Sequence, residues 1–201
     1  MTITLIIIAI TAIVSYSGFS SAQLIDKLIL WPPAVSRQKE YYRLVSYGII
    51  HADVQHLLFN MLTLFFFGRA MEPVYNALLG PIGFALFYVG GLIVSILPTY
   101  LRNQNNSRYR SLGASGAVSA VLFAFILLHP WAKILVFVVP MPAILYAILY
   151  VVYTFYMERQ GTGNINHSAH LWGAAYGILL TIVLYPPAID MFLDGLSNSA
   201  Q

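Results

Sequence analysis

Two residues in this chain have the types and surroundings that nucleophilic hydrolysis requires. Ser115 lies in Gly113-Ala114-Ser115-Gly116, and His170 lies in Ala169-His170-Leu171-Trp172-Gly173. A serine hydroxyl becomes a useful nucleophile when an adjacent imidazole can take its proton. Both residues fall within long uncharged segments, where polar and ionisable groups are costly and mark function by default. The chemistry they suggest is acyl transfer inside a bilayer. Ser115 opens its segment, so the free N–H groups and dipole of a helix start would favour an anion beside it. An ordinary N-cap serine is the structural alternative for this motif taken alone.

A third element is His51-x4-His56-x3-Asn60. His56 and Asn60 are four residues apart, on one helical face, and both can donate hydrogen bonds to a developing oxyanion. Helix–helix hydrogen bonding is the alternative use of such residues in membranes. His51 stands at the entrance of that segment and could serve only to order the loop before it. His167, one turn before His170, either orients His170 or lines an entrance, and His129, before Pro130, reads as an interfacial residue.

The elements that must position these groups follow from composition. The 201 residues are 59% hydrophobic and only 8% charged, against about 25% charged in a soluble domain. Residues 1–25, 54–68, 73–101, 111–132, 134–157 and 160–189 contain no Asp, Glu, Lys or Arg. Since about 20 apolar residues span a bilayer core, the pattern predicts an all-α polytopic membrane protein of six spans, near 2–21, 54–74, 80–101, 114–129, 131–156 and 168–186, in one domain over 1–201. The N-terminal apolar run lacks a basic leading region and is longer than a signal peptide's, so it reads as the first span. Pro140 and Pro142 should kink or loosen the fifth span. Pro186-Pro187 stops the sixth, and the tail beyond reads as frayed. No carboxylate is expected within the spans to orient His170, which leaves a dyad held by neutral groups.

Small residues repeat every four positions beside both candidates: Gly116, Ala120 and Ala124 after Ser115, and Ala169, Gly173 and Gly177 around His170. Such stripes let helices approach closely, and docking one on the other would bring His170 to Ser115. The net charge of +3 and the absence of a basic run argue against nucleic acid, and the absence of cysteine excludes disulfides, thiolate metal sites and a cysteine nucleophile. Rival readings are a metal-dependent hydrolase built on His51, His56, His167 and His170, a catalytically silent membrane-protein-binding protein, and a transporter. The first lacks a His-Glu-x-x-His motif, and the last lacks repeats and intramembrane charges.

Taken in order, the His-x4-His-x3-Asn, Gly-Ala-Ser-Gly and Ala-His-Leu-x-Gly-x3-Gly motifs resemble the rhomboid family of intramembrane serine proteases, across nearly the whole chain. The resemblance implies a six-helix bundle with a water-filled cavity. It makes Ser115 the nucleophile, His170 the general base, and His56, Asn60 and the Ser115 backbone N–H the oxyanion hole. Gly113 and Gly116 flank the nucleophile, and Phe59 matches a position lining the substrate entrance. Arg43 matches the arginine of a Trp-Arg pair whose first member is here Tyr42. Ser119 replaces an aromatic that some members stack on the catalytic histidine. Substrates would be single-span membrane proteins cut in or near the bilayer, without metal or organic cofactor. The implied location is a bacterial inner membrane, with the site opening to the extracytoplasmic side. Charge points the other way: the 22–52, 102–112 and 157–167 loops hold eight of the ten Lys and Arg residues, and such loops are usually cytoplasmic.

Overall fold

The computed structural model describes residues 2–136, 139–161 and 165–198. The part of the 157–167 loop that holds Gly163 therefore lies outside the described residues. The described chain is helical apart from one hairpin. α1 spans Ile3–Gly18, and the first loop folds into short helices α2 (Ala22–Leu28), α3 (Pro32–Gln38) and α4 (Arg43–Ser46), then a 3-10 turn at Tyr47–Ile49. α5 (Val54–Thr63) continues through a π-helical turn (Leu64–Gly68) into α6 (Arg69–Leu79). α7 (Gly83–Arg102), α8 (Ser115–Leu128), the strands β1 (Lys133–Val136) and β2 (Val139–Pro142), α9 (Ala143–Gln160), α10 (His167–Leu184) and α11 (Ala188–Asn198) complete the order.

Among the described residues, three helical runs, Val54–Leu79, Gly83–Arg102 and His167–Leu184, are long and apolar enough to cross a membrane, and Ile3–Gly18 and Ser115–Leu128 are shorter apolar helices. α1 turns its small and polar residues inward: Thr4, Thr11, Ser15 and Gly18 are buried, while Ile6, Ile10, Ile13 and Tyr16 are exposed. That inversion of the soluble pattern suits a helix facing lipid. α8 is the axis of the bundle, with every residue except Ser115 and Phe125 buried. At 14 residues it measures about 21 Å at 1.5 Å per residue, less than a bilayer core of about 30 Å.

α10 lies against α8 at backbone contact. A Cβ added to Gly173 would collide with the carbonyl of Gly116, and one added to Gly177 with the carbonyl of Ala120. α7 closes in from another side, where a Cβ on Gly91 would stand 3.3 Å from Cα of Ala117. Between apolar helices in lipid, such close van der Waals contact is the main attraction available.

Three expectations are corrected. Pro140 and Pro142 lie in β2, ahead of α9, and do not kink a membrane helix. β2 pairs antiparallel with β1, Pro140 opposite Leu135 and Pro142 opposite Lys133. A two-stranded hairpin has free edges that tolerate prolines, which cannot continue a helix. Second, a carboxylate does lie in a long apolar run. Glu72 is buried and accepts hydrogen bonds from the backbone N–H groups of Ile3 (2.8 Å) and Thr4 (2.9 Å) and from the Thr4 hydroxyl (2.7 Å). It neutralises orphan donors at the positive end of α1 and does not hydrogen-bond His170. Third, the tail forms α11, whose Phe192 reaches the core and whose Gly195 carbonyl accepts from the Trp131 indole at 2.9 Å.

Replacing Gly173 or Gly177 by Ala should force α8 and α10 apart and lower stability by about 1–3 kcal/mol. Denaturant titration of the purified protein in detergent, against the wild type, would measure this.

Candidate active site

The α8–α10 contact places the two chemically capable side chains together. Nε2 of His170 lies 2.7 Å from Oγ of Ser115. Ser115 is the first residue of α8 and His170 sits in the first turn of α10, so both project from the same end of the bundle. Both are half-buried.

The start of α10 is fixed by Asn166. Its Oδ1 accepts from the backbone N–H of Ala169 at 3.0 Å and from the Thr99 hydroxyl at 3.2 Å, and its Nδ2 donates to the Tyr109 hydroxyl at 3.2 Å. An N-cap tied to α7 and the following loop sets where His170 begins its turn. The imidazole is bounded on one face by the Tyr150 ring, with centroids 6.1 Å apart and planes inclined by 20°. His167 meets it edge-on at 6.0 Å. His167 is buried, and its Nδ1 makes no hydrogen bond.

The start of α8 is fixed by His51, which does more than order a loop. The backbone N–H of Ala114 donates to Nε2 of His51 at 3.3 Å. Nε2 is therefore an acceptor and the ring proton sits on Nδ1, 3.0 Å from Oγ of Ser15. Ser15 in turn donates to the carbonyl of Ile49 at 3.0 Å. This chain of directed bonds runs from α1 to the residue before Ser115 and requires neutral His51. Burial accordingly pushes His51 down to about 3 from an ordinary 6.5, with neighbouring His56 a smaller cause in the same direction. Around this point Gly113 donates to the carbonyl of Tyr47 at 2.8 Å, and Leu30 and Ser111 exchange two backbone bonds of 3.0 and 3.2 Å. The first loop is thus stitched to the segment leading into Ser115. Arg43 holds that loop from within: it is buried, pairs with Glu40, and donates to the carbonyls of Asp26 and Ile29 at 2.7 Å each.

His56 and Asn60 sit in the first turns of α5, beyond the Asp53 cap. The His56 ring packs edge-on against His51 at 4.8 Å and lies over Gly113. With φ of 111°, Gly113 is in left-handed territory, and a Cβ there would be 2.5 Å from Cε1 of His56. Only glycine meets both conditions. Asn60 is buried and donates one amide hydrogen to the carbonyl of His56 at 2.9 Å, which leaves its second amide N–H. Phe59 is exposed on the same helix. Among the described residues, no three His, Asp or Glu side chains converge to hold a metal ion.

Sequence reasoning missed Tyr150 and Ser15. The inward stripe Ala143, Ala147, Tyr150 and Thr154 on α9 carried a helical signal for Tyr150. The Ser15–His51 bond joins distant segments and carried none.

A family model described as a Rhomboid domain matches residues 38–187. The chain belongs to the rhomboid family. It is 33% identical over 148 residues to RHOMBOID-like protein 12, mitochondrial, of Arabidopsis thaliana, covering 67% of this chain and 44% of that protein. It is 28% identical over 162 residues to a Bacillus subtilis (strain 168) protein named by inference as a rhomboid protease, YdcA, covering 78% and 76%. It is 32% identical over 152 residues to Rhomboid protein 1, mitochondrial, of Saccharomyces cerevisiae, covering 71% and 42%. This rhomboid therefore spans less than half the length of two of the three relatives. Family membership and the apolar helices make it an integral membrane protein.

The unfolded His51 ring takes up a proton below about 6.5, the folded one only below about 3. The stabilisation from neutral His51 is therefore complete above pH 6.5 and declines as pH falls from there towards 3. Unfolding measured between pH 7.5 and 5 should show this decline, and His51→Phe should be less stable at pH 7.5 and show a smaller decline.

Proposed function

We propose that this rhomboid is an intramembrane serine endopeptidase that hydrolyses peptide bonds in or near the membrane-spanning segments of single-span proteins. The observation that carries the reading is the 2.7 Å approach of His170 Nε2 to Ser115 Oγ, within the reach proton transfer needs. Family membership and relatives named as rhomboid proteases support it.

Ser115 Oγ attacks the scissile carbonyl as His170 Nε2 takes its proton. The negative charge developing on the carbonyl oxygen meets the Ser115 backbone N–H at the α8 start, with His56 and Asn60 as side-chain donors. His170 then protonates the leaving amine, and water hydrolyses the acyl-enzyme by the same proton relay in reverse. A substrate helix hides its carbonyls in its own hydrogen bonds, so it must unwind locally before attack. It reaches the site laterally, past Phe59. His51 acts behind this chemistry by holding the Ala114 backbone, and Gly113 and Gly116 supply the close approaches on either side of the nucleophile.

The full architecture we assign is a single membrane domain of six spans, α1, α5–α6, α7, α8, α9 and α10, in a bacterial inner membrane. The short α8 sets Ser115 below the membrane surface, in a cavity opening to the extracytoplasmic side. This orientation puts the basic loops outside, against the charge bias. A reporter active only in the cytoplasm, fused after residue 105, should be silent; activity there would reverse the orientation.

Purified protein incubated with a model single-span substrate should cleave it. Ser115→Ala and His170→Ala should each lower the rate by at least about a thousandfold, and His56→Ala and Asn60→Ala by about a hundredfold, with no effect of chelators on the wild type. Cleavage that persists in Ser115→Ala would refute the assignment.

A further inference from the structure

We propose that Tyr150 on α9 is the positioning residue for His170, and that a hydrogen bond to Ser119 on α8 fixes Tyr150 in that role. The inference rests on the protease reading above. A dyad histidine with no hydrogen-bonded carboxylate needs another source of orientation. Nε2 of His170 points at Ser115, and nothing along that one bond sets the tilt of the ring about it. Tyr150 supplies a flat face nearly parallel to the imidazole, inclined by 20°, while the edge-on contact of His167 bounds another side.

Tyr150 is itself pinned. Its hydroxyl lies 2.7 Å from Oγ of Ser119, and its ring packs against Phe123 at 5.4 Å and Tyr146 at 5.7 Å. Ser119 is buried, one helical turn after Ser115 on α8. The nucleophile and the anchor of the positioning residue are thus carried by one rigid helix, and the stacked ring closes a triangle from α8 through α9 to α10. α9 presents only a narrow inward face, with Ala143, Ala147 and Thr154 buried, while Leu145, Leu149 and Tyr153 among others are exposed. The Ser119–Tyr150 bond is therefore a polar tie between a peripheral helix and the bundle axis. Seating of α9 and orientation of His170 become one event: if α9 moves outward, the ring that steadies the base leaves with it.

The test is a double-mutant cycle on kcat and KM for the single-span substrate, paired with 15N NMR of the His170 ring in detergent. Tyr150→Leu should lower kcat between about ten- and a hundredfold, the scale of a misplaced catalytic group, with KM within about twofold. It should also shift the His170 ring resonance. Tyr150→Phe keeps the face but loses the bond and should lower kcat by only about threefold. Ser119→Ala should match it, and the pair together should be no worse than either alone, as members of one interaction behave. A Tyr150→Leu enzyme with wild-type kcat and an unmoved His170 resonance would overturn the proposal. Additive effects of Ser119→Ala and Tyr150→Phe would overturn the part assigned to Ser119. If Tyr150→Leu does not fold, Ser119→Ala and Tyr150→Phe, which each remove one oxygen, decide. If the wild type cleaves nothing, the protease reading fails, and the His170 resonance alone tests the positioning.

Discussion

The backbone contact between α8 and α10 is the constraint on which the rest of this structure depends. With hydrogen as the side chain at Gly173 and Gly177, the second helix sits directly on the carbonyls of Gly116 and Ala120. Ser115 is one residue from Gly116, and His170 is one turn from Gly173. A few tenths of an ångström at the glycines is thus transmitted to the 2.7 Å between Oγ and Nε2. In water, a hydrophobic core would press helices together whatever their surfaces. In lipid that drive is absent, and shape has to do the work. The same residues that let the bundle assemble therefore set the geometry of the proposed reaction.

Around that contact the polar groups fix where each helix begins. Asn166 caps α10 and ties it to Thr99 and Tyr109. The His51–Ser15 pair and the Leu30–Ser111 bonds hold the chain just before α8. Groups that face developing charge are most effective when they need not reorganise, and here the backbone leading to Ser115 is held from α1 and from the first loop together. Glu72 works at the remote end of the same bundle, where it keeps α1, and hence Ser15, in place. The N-terminal helix contributes to the site without supplying any group to the chemistry.

Much of this was legible in the sequence because it is written in local spacing. The four-residue repeat of small residues announces a close helix pair, and Ser115 and His170 sit beside it at positions that only that pairing unites. His56 and Asn60 announce a shared face by the same arithmetic. What escaped depends on tertiary partners. By resemblance alone, Ser119 vacates an aromatic position on α8. The aromatic instead comes from α9, and Ser119 becomes its anchor. His51 is a loop residue by position, and its meaning lies in Ser15, far away in the chain. The run from 131 to 142 is apolar enough for a helix, and periodicity cannot separate a short apolar strand from a helix segment. Its prolines decided for the hairpin. Glu72 follows Arg69 near the end of the second apolar run, where charges are ordinary, and its burial comes from its bonds to the start of α1.

The central claim is that Ser115 is a nucleophile activated by His170. A fluorophosphonate probe reports this without any knowledge of the natural substrate, because it forms a stable bond only with an activated serine. The protein should be labelled with one probe per chain, mapped by mass spectrometry to the peptide holding Ser115, and His170→Ala should abolish labelling while remaining folded. Labelling at another residue, or undiminished labelling of Ser115 in His170→Ala, would contradict the account.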